Sequence, residues 1–453
     1  MKTNKLIKGM AFTGVCGLLL IFPAKAQNTL EAYIDQGLTS NQSVQQQGFI
    51  LEKNIYALKE AKSMFLPEVS FGATYTKTHG GRTIDVPLGD LLNNTYATLN
   101  KLTGSTSFPQ VQNQHILINP DNFYDSRFRT TLPILNAELI YNKRIKSQQV
   151  DFQKEEVLLY KRELVKDIKK AYYQYLKAVN AVEIYTSALS LVKEGLRVNT
   201  ALQKNDKVNR TAVLRSDNEV ARISASLTTS RQAKASAKNY FNFLLNRPLE
   251  DSILIDNSFS HPPSENFSDQ SVEKREELSK LKIAKDINGN LTGLAKSYLV
   301  PKIGTSLDLG SQAFDWKFNS SSRYYLFGVS LEWSLFSFGK HSYRIKQAIA
   351  DQQSISAQTD YVKNQLLTEL SVRKNGLISS MAQYRASLTE MHTAQTYYGD
   401  ELKLYKEGLA IYIELLDAQN QLIDTRLQAN ISLYDTWIAN AEIERATAGF
   451  PIK

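Results

Sequence analysis

Four stretches of the chain alternate apolar with small or polar residues, the two-residue period of a strand with one apolar face. Near 68–77, Val69, Phe71, Ala73 and Tyr75 oppose Ser70, Gly72, Thr74 and Thr76. Near 302–311, Ile303, Thr305, Leu307 and Leu309 oppose Gly304, Ser306, Asp308 and Gly310. Near 324–336, Tyr325, Phe327, Val329, Leu331, Trp333 and Leu335 oppose Gly328, Ser330, Glu332 and Ser334. The fourth stretch, 127–136, is less regular and carries Pro133 near its end. Tyr324, Tyr325, Trp333, Phe336 and Phe338 gather near strand ends, as the aromatic girdle of a membrane barrel does and as an ordinary core also does.

Elsewhere the period lengthens. From Leu164, apolar residues fall at Ile168, Ala171, Tyr175, Val179, Val182, Tyr185, Leu189 and Val192, eight steps in 28 residues. That mean of 3.5 is the coiled-coil period. A second run holds Leu366, Leu370, Leu377, Met381, Tyr384, Leu388 and Met391, interrupted by Arg373. Proline is absent between Pro133 and Pro248 and between Pro301 and Pro451, so each run predicts a long helix. A helix from Lys340 to Tyr405 is on the order of 100 Å long at 1.5 Å per residue.

The pattern occurs twice. Ala61-Lys62-Ser63-Met64-Phe65-Leu66-Pro67-Glu68-Val69 answers Ala295-Lys296-Ser297-Tyr298-Leu299-Val300-Pro301-Lys302-Ile303, and Arg144-Ile145-Lys146 answers Arg344-Ile345-Lys346. Val213-Leu214-Arg215-Ser216 then answers Leu415-Leu416-Asp417-Ala418 in the same order. The expected fold is mainly α with a β part, in two tandem repeats of helix, strand, strand, long helix and helix. Their bounds are 27–250 and 271–453, with a proline-bearing linker at 251–270. The first copy carries a long inter-strand insertion, 78–125, expected to be a loop.

Ahead of the repeats, Lys2, Lys5 and Lys8 precede the apolar run Gly9 to Phe22, and Ala24-Lys25-Ala26 forms an A-x-A site. Residues 1–26 therefore read as an export signal peptide, too short in its apolar part to span a bilayer. The formal charge of +9 falls to +5 beyond residue 26. That excess is too weak and interspersed for nucleic-acid binding. Cys16 is the only cysteine, which excludes a CxxC metal site and an internal disulfide. His79, His115, His261, His341 and His392 are scattered, and no HExxH, GxSxG, Walker or GxGxxG motif occurs. The reading is of no enzyme, no cofactor, no metal and no catalytic residue. No apolar window after Gln27 reaches the length of a membrane helix, but a barrel wall announces itself only by alternation.

These pieces together resemble the TolC family of outer-membrane efflux proteins. The resemblance rests on Leu30-Glu31-Ala32-Tyr33, on Ala61 to Pro67 before a strand, and on Ser334-Leu335-Phe336-Ser337-Phe338-Gly339-Lys340 before a helix. Leu244-Leu245-Asn246-Arg247-Pro248-Leu249 closes the first copy, and Tyr405-Lys406-Glu407-Gly408-Leu409 precedes Glu414-Leu415-Leu416-Asp417-Ala418. It implies a homotrimer in the cell outer membrane, extending into the periplasm, with a twelve-stranded barrel on an α-helical tunnel. It further implies a passive exit duct serving a periplasmic adaptor (a membrane fusion protein) and an inner-membrane RND or ABC-type pump, in tripartite efflux or type I secretion. Phe71, Tyr75, Phe327, Val329 and Trp333 would face lipid. Glu414 and Asp417, three apart on one helix face, match the acidic positions that close the family's periplasmic entrance, with Glu in place of the usual first Asp. Asn205, Asp206 and Lys207 in one helix–helix turn, and Tyr405, Gly408 and Leu409 in the other, match the surface that meets the adaptor. The rival reading is an exported, water-soluble coiled-coil scaffold or adhesin whose strands form a small sandwich.

Overall fold

The computed structural model describes residues 29–264 and 271–452. The predicted export signal and the end of the expected linker lie outside the described residues. In chain order the elements are α1 (Thr29–Ser40), α2 (Gln42–Ser63), β1 (Glu68–Thr76), β2 (Thr83–Val86), α3 (Leu88–Thr103), β3 (Gln114–Leu117) and β4 (Phe123–Leu135). The long helices α4 (Ala137–Lys204) and α5 (Arg210–Leu244) follow, then α6 (Glu276–Lys296), β5 (Lys302–Phe314), β6 (Arg323–Glu332), α7 (Lys340–Glu407) and α8 (Tyr412–Ala446). The two long helices have 68 residues each and the two that return from them 35 each. No helix among the described residues is long and apolar enough to cross a membrane.

The chain divides into two compact units. One comprises residues 43–162, 268–372 and the C-terminal segment from Arg445. It holds a four-stranded antiparallel sheet in the order β1-β4-β5-β6. The pairing runs Glu68 to Thr131, Leu135 to Ile303 and Lys302 to Glu332 at one end, which is where all four strands join helices. Pro133 sits at a register shift in β4, where its missing N–H costs the ladder least. In the helical part of this unit, Val272, Leu366, Leu370 and Ala446 form an apolar cluster. Arg275, only 3% exposed along its side chain, binds Glu277 and the Ala446 carbonyl, and Arg445 binds Glu277 from the other side. Arg162 donates to Glu276 (2.6 Å) and to the Phe450 carbonyl (2.7 Å). Burial alone pushes the Glu277 carboxyl up, but the Arg275 hydrogen bonds and the Arg445 charge more than offset it and hold it at about 2.

The other unit comprises residues up to Gln42, 163–267 and 373–444. The predicted seam of α4 is buried here at Leu164, Ile168, Ala171, Tyr175, Val179 and Val192. Ala188, Val192, Ile223 and Ile423 pack as one cluster, and Leu377, Met381 and Ile443 as another. Along α7 the seam departs from the predicted pattern. Leu388 is exposed, and the buried positions are Ser387 and Ala394, with the Ser387 hydroxyl 2.7 Å from that of Ser432 on α8. A hydroxyl satisfied across the helix pair packs as well as an aliphatic group there. Lys170–Glu442 and Lys177–Asp435 ion pairs tie α4 to α8 at 3.1 and 3.2 Å. The segment after α5 is pinned by tyrosines: Tyr172 donates to the Leu254 carbonyl and accepts from the Asp256 N–H, and Tyr33 accepts from the Leu254 N–H.

Three expectations change. The second predicted strand of the second half ends at Glu332, so Trp333 lies beyond it, and 333–337 is irregular. Tyr324, placed in the girdle by sequence, has its hydroxyl on the polar face, donating to Asp125 at 2.9 Å. The insertion 78–125 is no plain loop but a hairpin of β2 and β3 enclosing α3.

Candidate functional site: helix tips and the exposed strand face

In the helical unit, α4 and α5 meet in one turn and α7 and α8 in another, and the two turns have the same backbone at an offset of 202. Asp206 has φ 55° and Gly408 φ 76°. The Lys207 N–H bonds the Leu202 carbonyl and the Leu409 N–H the Leu404 carbonyl, both at 2.9 Å. This is a left-handed helix end closed by a six-residue bond, which glycine enters freely and aspartate at modest cost. Asn205, Lys207 and Leu409 are exposed at these turns, Leu409 at 72%.

The helices that leave the turns are capped by opposite halves of one device. In the first copy the Asn209 side chain accepts from the Ala212 N–H at 3.2 Å. In the second, Glu414 reaches back and accepts from the Ile411 N–H at 3.0 Å. A capping box contains both bonds at one helix start; here each start has one. Glu414 is therefore committed to the backbone of its own helix. Asp417, one turn on, is exposed and lines an open groove with Glu390 of α7 and with Asn420 and Asp424 of α8. Partial desolvation and then the carboxylates of Glu401, Asp417 and Glu414 raise the pKa of Tyr397 on α7, which puts both predicted gate residues near one phenol.

Behind the tips lies a polar chain. Tyr405 of α7 donates to Asn199 Oδ1 of α4, Asn199 donates to Ser216 Oγ of α5 at 2.6 Å, and Ser216 donates to the Ala212 carbonyl at 2.8 Å. Asn199 and Ser216 are each 1% exposed. Burial raises the pKa of Tyr405, keeping it a donor. Tyr405, predicted as an adaptor contact, is thus turned inward. Sequence reasoning overlooked Asn199 and Ser216. The available signal was that Asn199 falls seven residues after Val192 on the apolar seam, where a lone polar residue fixes register.

In the sheet unit, one face carries Val69, Phe71, Phe128, Leu309, Tyr325, Phe327, Val329 and Leu331, all more than half exposed. Register aligns Phe71 with Phe128, Leu309 and Tyr325, and Val69 with Thr130, Leu307 and Phe327. Trp333 is also exposed. The opposite face is polar. Arg129 binds Asp308 through two bonds of 2.6 and 2.7 Å, and Arg127 binds Asp125 at 2.9 Å. At the end remote from the helices, Tyr124 stacks on Trp316 (5.5 Å, 6°), and Trp316 on Tyr75 (5.1 Å, 18°). Among the described residues no group of three His, Cys, Asp or Glu has metal-binding geometry. One face of the sheet is thus apolar and exposed, and the other carries the paired charges.

Residues 268–449 match the outer membrane efflux protein family. The matched stretch takes in α6, β5, β6, α7 and α8, the second copy of the pattern. No curated protein matches it. Three solved structures share its fold along nearly the whole length. For the outer-membrane channel OprN the identity is 16%, covering 94% of this chain and 91% of that one, with a TM-score of 0.74. CusC is 15% identical over 93% of this chain and 92% of its own, with a TM-score of 0.77. VceC from Vibrio cholerae is 15% identical over 92% and 95%, with a TM-score of 0.72.

Proposed function

We propose that three copies of this chain assemble into a passive exit channel. Each copy contributes β1, β4, β5 and β6 to a twelve-stranded barrel, with the helices forming the periplasmic tunnel. The observation that carries this reading is the sheet itself. It is apolar on one face and ion-paired on the other, and β1 and β6 are unpaired edges. Open strand edges do not persist in lipid, and single-chain barrels begin at eight strands, so closure requires other copies. The channel is the outer-membrane part of a tripartite efflux or type I secretion system. A periplasmic adaptor meets the two helix turns, and an RND or ABC-type pump delivers substrate. The chain conducts and does not catalyse.

The periplasmic end closes at the tips. Asp417 supplies a ring of three carboxylates facing the passage, Glu414 holds the start of α8, and the Tyr405–Asn199–Ser216 chain clips the second-copy helices to the first. Light scattering of the detergent-solubilised chain should give three copies per particle, and planar bilayers should register its conductance. A monodisperse monomer without detergent would instead support the soluble scaffold.

A further inference from the structure

The insertion that interrupts the first pair of strands is a small module with one face of its helix already in use. Asn93 of α3 makes two bonds to the backbone of Val111, donating to its carbonyl (2.9 Å) and accepting from its N–H (2.8 Å). Asn100 does the same to Phe108, at 2.8 and 3.0 Å. Seven residues of helix and three of extended chain both span roughly 10 Å, so two amides clamp one extended strap in register. Tyr96 adds a ring contact to Phe108 at 5.7 Å. Gly89 completes the fit, since a Cβ there would meet the Val111 carbonyl at 2.5 Å.

The other face of α3 is bare. Leu91, Thr95, Thr98 and Leu102 are all exposed, the two leucines at 66% and 78%. Their 4-3-4 spacing is that of a helix–helix seam, roughly 170° around the helix from the clamped face. The module has no core of its own, because Gly89 is its one buried residue. A sixteen-residue helix and a two-stranded hairpin are each marginal alone. Only four of residues 82–118 are charged, Arg82, Asp85, Asp90 and Lys101, and they sum to zero. That is about half the chain's overall 22%, the depletion expected of a contact surface and not of a solvated one. The module also hangs from β1, one of the two open edges.

We propose that the Leu91–Thr95–Thr98–Leu102 face of α3 packs against the same face of neighbouring copies, on the side of the barrel remote from the helices. This rests on the trimer reading above. The chain has no cysteine beyond Cys16, so an introduced one reports a single position. Thr98→Cys in outer membranes, oxidised with copper phenanthroline, should give a disulfide-linked dimer with one chain in three left unlinked. Gln110→Cys, on the strap, should give none. Thr95→Cys provides a second seam position if Thr98→Cys is poorly produced. Light scattering of the same samples counts copies independently. Absence of the dimer at both seam positions in a proven trimer overturns the α3 contact and leaves the channel reading standing. A monomer by light scattering overturns both.

Discussion

Removing the Tyr405 hydroxyl tests the gate through a single buried bond. In Tyr405→Phe the ring and its packing against Tyr412 (5.9 Å) remain, and only the donor to Asn199 Oδ1 is lost. Asn199 is 1% exposed, so water has no room to replace that donor. Stranding a buried acceptor costs about 1–3 kcal/mol. If opening separates α7 from α4, the closed form loses that amount and the open form, already without the bond, loses nothing. The open population should then rise about 5- to 150-fold. Single-channel recording without adaptor reads the open probability directly. Adding Asn199→Ala should change it little further, because the two side chains share one interaction. An open probability within twofold of the parent, alongside a lowered Tm, would refute the reasoning and make the clip a static brace.

Phe327→Arg puts a charge on the exposed sheet face and should cost about 2–4 kcal/mol if the position lies near the bilayer midplane; immunoblots of outer-membrane fractions should report much reduced levels. Glu277→Gln should destabilise the chain above about pH 5 and progressively less toward pH 2. Its carboxyl, held at about 2 when folded, stabilises the fold above the unfolded value near 4.3 and stops doing so as pH falls through 2, a window worth about 3 kcal/mol; melting curves at pH 7 and pH 2.5 would separate these cases. Glu414→Gln should preserve the α8 cap, since glutamine also fills that role, whereas Glu414→Ala should fray the first turn by about 1 kcal/mol; hydrogen exchange at Ile411 distinguishes them. Asp417→Asn should weaken cation selectivity and divalent block in bilayers without altering that exchange.

The strands and long helices were legible because each obeys one period over many residues. Burial of Leu164, Ile168, Ala171, Tyr175, Val179 and Val192 and exposure of Phe71 and Phe327 follow from that alone. The seam through Ser387 was hidden, because a hydroxyl in a helix pair is buried only when its partner, Ser432, stands opposite. The module within 78–125 escaped for a related reason: Asn93 and Asn100 stabilise α3 through backbone amides, and asparagines read as turn formers when no partner is visible. Trp333 was assigned to a strand because alternation continues past Glu332, although pairing with β5 does not. At the tips, spacing revealed that Glu414 and Asp417 share a face, but not that one is taken up by a backbone N–H. That depends on where a carboxylate points, which no pattern of residue types encodes.

The two open edges of the sheet also bear on how the protein is made. A single chain carries Arg323–Glu332 and Glu68–Thr76 unpaired at its sheet edges, together with an exposed aromatic face. In the proposed trimer the sheet closes only against other copies, so the last step of folding is an encounter between molecules and slows as they become scarce. Until that encounter, each edge accepts any extended partner, and mispairing competes with closure. Raising synthesis therefore speeds the correct reaction and the wrong one together. For the proposed trimer, the yield then depends on whatever holds these chains apart until three of them meet at a membrane.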